Sequence, residues 1–159
     1  MRKKSKYKPR PVLLNPVGFV LEGFTPVRSH ESFMVTLNIR NHGAMTSLMQ
    51  GKADRGDIDA LIQMINITEA LYRMGVGEDY GDIVAAALDA LRAVGRRGAE
   101  SGRFILRAEE IKALNEAMEL HDAQLDVITL KDMEKAVDLV RKEAASGKMT
   151  PIVEKRVAP

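Results

Sequence analysis

The chain predicts an all-α fold: a compact helical bundle of four to six helices behind a flexible basic N-terminal arm. Three observations carry this. Apolar residues recur at i, i+3, i+4 and i+7 over several long windows. Those windows open on capping residues or close on glycine. Six of the first ten residues are Lys or Arg and none is acidic, so the start of the chain has nothing to bury in a core.

The elements follow in order. Residues 1–11, "MRKKSKYKPRP", form the arm, its bases interleaved with Ser5, Tyr7 and Pro9. Asn15–Pro16, a cap followed by a proline at the first helical position, starts a short helix ending at Gly23. The region 32–50 allows two readings. "SFMVTLNIR" alternates Phe33, Val35, Leu37 and Ile39 in the manner of a strand, with "RFILR" at 103–107 as its one candidate partner. Met45, Leu48 and Met49 return to helical spacing, and a single helix over about 32–50 is the preferred reading.

Asp54 with Asp57 predicts a capped helix through "RGDIDALIQMINITEALYRM", with Ile58, Leu61, Ile62, Ile65 and Leu71 inward and Gly75 as its stop. A further helix covers roughly 79–96 with Ile83, Val84, Ala87, Leu88, Leu91 and Val94 on one face, and the glycines of "GRRGAESG" end it. "RAEEIKALNEAMELHDAQLDVI" is the next, with Ile111, Leu114, Met118, Leu125 and Ile128 inward. Thr129 followed by Asp132 caps "LKDMEKAVDLVRKEAA", whose inner face is Met133, Val137 and Val140 and which Gly147 and Pro151 close. One helical domain is expected over 12–146, followed by a loose tail at 147–159.

Composition bounds the function. At 159 residues there is room for one domain with a core. The absence of cysteine removes disulfides, thiolate metal sites and thiol nucleophiles, and fits a cytoplasmic setting. Charged residues interrupt every stretch that approaches the ~20 apolar residues of a membrane span, so no membrane partner is expected. The formal net charge of +2 hides an asymmetry: the arm holds six of the 24 basic residues, so residues 11–159 carry about −4. Attraction to a polyanion is therefore local to the arm.

Catalytic signatures are missing. None of His30, His42 and His121 has a Glu three residues before it, as a bundle metal site wants. His121–Asp122 is an adjacent pair whose side chains diverge by about 100° on a helix. Each histidine reads best as a surface group or as a hydrogen-bonded residue at a helix junction. "GVGEDYG" offers Gly75 and Gly77 but Tyr80 where a dinucleotide fingerprint needs its third glycine. Gly51–Lys52 has Thr46 and Ala53 where a phosphate loop needs Gly and Ser or Thr. No catalytic residue, metal site or cofactor is expected, and the chain reads as no enzyme.

The arm is the strongest functional feature. Arg2, Lys3, Lys4, Lys6, Lys8 and Arg10 on phosphates would give a salt slope of about −5, enough for affinity without sequence preference. A second group, Arg92, Arg96, Arg97, Arg103 and Arg107, brackets the glycine turn, and Arg96, Arg97 and Arg103 are candidates to extend the arm's track. The ordinary alternative is that arginines gather at a helix C-terminus to oppose its dipole. The helix after the turn is too acidic to enter a DNA groove.

"NHGAMTSLMQGKADRGDIDALI", "NITEALYRMG" and "FILRAEEIKALNEAMELHDAQLDVIT" resemble small helical proteins of proteobacterial phages, prophages and plasmids. The resemblance covers about residues 10–145 and implies an accessory role of a mobile element in a bacterial cytoplasm; it transfers no functional residue. The expected function is that of an accessory protein which binds nucleic acid through its arm while the body docks a protein partner or self-associates. The alternative is a protein-interaction or assembly module (inhibitor, scaffold or chaperone) with no nucleic-acid role.

Overall fold

A computed structural model describes residues 23–147 of the chain. The arm, the expected helix from Asn15 and the tail beyond Gly147 lie outside the described residues. Five long helices follow one another: α1 (Glu31–Met49), α2 (Arg55–Arg73), α3 (Gly81–Ser101), α4 (Ala108–Val127) and α5 (Leu130–Ala145). The fold is all-α, with no strand among the described residues.

Region 31–49 is one continuous helix, so the strand reading of "SFMVTLNIR" falls. The alternating apolar residues that suggested it are scattered around the helix. Phe33, Val35 and Ile39 are exposed, and Leu37 alone of the four is half-buried. The buried positions of α1 are Asn41, Ala44, Met45 and Leu48, while Met49 is exposed.

Helix α2 begins in the expected capping box. The Asp57 N–H donates to Asp54 Oδ1 at 2.9 Å and the Asp54 N–H to Asp57 Oδ2 at 3.1 Å. It ends at Gly75, whose φ of 89° belongs to the left-handed region. There the Val76 N–H donates to Leu71 O and the Gly75 N–H to Tyr72 O, which satisfies two of the helix's last carbonyls. Helix α2 packs against all four others and is the axis of the bundle.

Helix α3 runs five residues further than the sequence suggests, through Ser101, so of the glycines of "GRRGAESG" the last alone, Gly102, ends it. Gly95 and Gly98 are buried in its last turns, and Gly102, with a φ of 72°, is the stop. A glycine inside a helix weakens it, but here the missing side chain serves the packing. Phe104, on the strap of residues 103–107 that links α3 to α4, lies against Gly98 where a Cβ would stand.

The last two helices follow the sequence closely. Thr129 caps α5 in a reciprocal box with Asp132. Ile128, just past the end of α4, is buried even so. Its carbonyl accepts from Val27 N–H at 3.0 Å, and Thr25 O accepts from Leu130 N–H at 3.0 Å. These two bonds fasten the start of the described chain to the α4–α5 link. One apolar cluster fills the space among α1, α2, α3 and α4, around Leu48, Leu61, Ile65, Leu91 and Leu114. A second gathers Val27, Leu71, Leu125, Ile128 and Met133 beneath α5.

Candidate functional site

The expected basic cluster divides into committed and available side chains. Arg97 sits at the foot of α3 with both guanidinium nitrogens on the Glu110 carboxylate, one at 2.8 Å, and Nη2 also donates to Ile105 O at 2.9 Å. Glu110 in turn accepts from the Arg107 N–H at 2.8 Å, so one carboxylate caps the start of α4 and holds the strap. Burial works to raise the Glu110 pKa, but the Arg97 hydrogen bonds, the Arg107 N–H and the two guanidinium charges outweigh it and leave the pKa lowered. Arg92 pairs with Asp89 at 2.9 Å. Arg96, Arg103 and Arg107 are exposed, and Arg96 and Arg103 form no ion pair among the described residues. Arg2, Lys3, Lys4, Lys6, Lys8 and Arg10 lie outside the described residues.

All three histidines are hydrogen-bonded. His30 Nε2 lies 3.0 Å from Thr25 Oγ1, and His42 Nε2 lies 3.0 Å from Asp122 Oδ2, which joins α1 to α4. His121 is buried at 1% exposure between α2 and α4, with Nδ1 3.0 Å from Thr68 Oγ1. The Thr68 hydroxyl has one proton, and it is directed at Met64 O, 2.9 Å away. With that proton on Met64 O, the tautomer protonated at Nδ1 would donate to Thr68 Oγ1 and leave Nε2 an acceptor. That Nε2, Gln124 Oε1 and Asn41 Nδ2 are buried with no partner among the described residues. Burial, with a smaller contribution from His42, lowers the His121 pKa to about 4, so the ring is neutral at pH 7.

Gln124, one turn after His121, completes this polar seam. Its Nε2 donates to Thr68 O at 3.2 Å and to Val76 O at 2.9 Å, tying α4 to the end of α2 and to the turn after it. The sequence allows a hydrogen-bonded histidine at a helix junction, which His121 is, but its partners Thr68 and Gln124 were missed because polar residues were kept off the inner faces. The signal was present: His121 stands seven residues after Leu114 and three after Met118, on the apolar stripe of α4. Among the described residues no three His, Asp or Glu side chains are placed to hold a metal ion.

A groove of about 620 Å³ lies between the end of α1 and the strap 103–107. Leu48, Met49, Gln50 and Gly51 form one wall, Arg103, Ile105 and Leu106 the other, and Ile111 of α4 also lines it. Met49 and Ile105 are each 54% exposed at its mouth. None of the described helices is long and apolar enough to cross a membrane. No family model, curated protein or solved structure matches the chain.

Proposed function

We propose that the protein is a non-enzymatic accessory protein of a phage or other mobile element. Its arm holds nucleic acid without sequence preference, and its helical body docks a protein partner or a second copy. The observation that carries this reading is the segregation of charge. Six cations and no anion stand in residues 1–10, whereas residues 23–147 hold 15 basic against 20 acidic side chains, a formal −5. A body of that sign is repelled by phosphate, so attraction must come from Arg2, Lys3, Lys4, Lys6, Lys8 and Arg10. Arg96 is the body's available addition, since Arg97 is spent on Glu110 and Arg103 lines the groove beside the strap.

The test is a titration of a mixed-sequence DNA duplex with the full chain over a salt series, beside a full-length variant whose six arm cations are glutamine. Steeply salt-dependent binding, with a slope of about −5, that disappears in the variant is the expected result. No binding at low salt, or equal binding by both proteins, overturns it. A module with no nucleic-acid role is the second reading, and the apolar groove at the strap favours it.

A further inference from the structure

The groove beside the strap has a chemistry of its own. Along residues 103–107 exposure alternates: Phe104 and Leu106 turn inward while Arg103, Ile105 and Arg107 face solvent, as along a strand. Among the described residues the N–H groups of Phe104, Ile105 and Leu106 make no hydrogen bond. Ile105 O already accepts from Arg97 Nη2, so the edge that an extended run leaves open to an incoming extended chain is that of Phe104 and Leu106. The apolar wall of Met49, Ile105, Leu106 and Ile111 lies beside it. Arg103 lines the same groove with no acidic partner among the described residues, on a body whose net charge is otherwise negative.

We propose that this groove is the docking site for an extended acidic segment of a partner protein. The segment lies along the strap, sets an aliphatic or phenyl side chain between Met49 and Ile105, and places a carboxylate on Arg103. Nucleic acid fits less well. Among the described residues the groove's lining contains no aromatic side chain on which a base would stack, and beside Gln50 and Arg103 it is made of aliphatic and methionine side chains. The extended backbone supplies main-chain bonds, the apolar pocket supplies burial, and Arg103 supplies the sign preference. This inference rests on the docking half of the proposed function and is independent of the arm.

The probe is a pool of fluorescein-labelled heptapeptides with Asp or Glu at both ends and Leu, Ile, Val or Phe at the three central positions. Anisotropy with the full chain should show binding in a range of about 10–300 μM, typical of a small transient contact. The same pool with lysine ends should bind about fivefold or more weakly. Arg103→Glu and Ile105→Ser, both at exposed positions, should each weaken the acidic pool by about fivefold or more while leaving Tm unchanged. Amide shifts in ¹H–¹⁵N spectra should concentrate on residues 48–51 and 103–111. Equal binding of the lysine pool, no binding up to about 1 mM, or shifts elsewhere overturns the proposal. So does a DNA duplex that perturbs the same residues in place of the peptide, or a dimer that buries them. The variant with the neutral arm keeps peptide binding, so a failed duplex titration and a failed peptide titration report on separate readings.

Discussion

The ring of Phe104 occupies the space that a side chain on Gly98 would need: a Cβ there would fall well inside van der Waals contact with the ring. The glycine that the sequence offers as a helix stop is thus the seat of the strap. Phe104 packs against the α1–α4 core from this position.

Gly98→Ala therefore separates two effects of opposite sign. In an unhindered helix the change would stabilise by about 0.5–1 kcal/mol. Here it must push Phe104 off α3, and the expected net effect is a loss of about 1–3 kcal/mol, read as a lower urea midpoint. A gain in stability would show that the strap does not rest on α3.

Glu110 makes the strap sensitive to acid. Its carboxyl titrates below the usual value because the Arg97 and Arg107 interactions outweigh the cost of burial. A depressed carboxylate contributes stability that is present at neutral pH and lost as pH falls through its folded pKa. Glu110→Gln should cost about 1–3 kcal/mol at pH 7 by removing a charge-assisted pair. Urea midpoints for the two proteins should converge as the pH is lowered through the acid range. A gap that stays constant over the whole acid range would mean that the side chain acts through packing alone.

Gln124 is a cross-link between helices, with its amide on Thr68 O and Val76 O. Gln124→Leu keeps the volume, removes the side-chain partner of the half-buried Val76 O and leaves Thr68 O with its helical bond alone, at a cost of about 0.5–1.5 kcal/mol. Hydrogen exchange should quicken first at Val76 and the turn after α2, because that is where the bond at 2.9 Å is lost.

Where the sequence carried local chemistry, the helices were legible. Asp54 with Asp57, Thr129 with Asp132, and Gly75 each act within three or four residues, and all three mark helix ends as read. The end of α3 was misread because Gly98 answers to Phe104, a contact that local spacing does not contain. Helix α1 was ambiguous for a related reason. Its apolar residues lie all round, so neither a helical nor an alternating period dominates. Arg97 looked available because its partner Glu110 stands thirteen residues away, across a turn whose path is set by packing.

His121 gives the sharpest pH dependence. Its folded pKa of about 4 lies below the ordinary 6.5, with burial as the main cause and the neighbouring His42 as the lesser one. Between these values the unfolded chain takes up a proton that the folded ring refuses, so stability falls as pH drops from 6.5 towards 4. The integrated loss is on the order of 3 kcal/mol. His121→Leu removes the titration while leaving the Thr68 hydroxyl its bond to Met64 O. Urea unfolding at pH 7 and pH 4.5 should then show the wild-type chain losing more stability than the variant over that interval, by up to that amount. Parallel losses in the two proteins would place the ring's proton affinity near its ordinary value and contradict a neutral His121 held between α2 and α4.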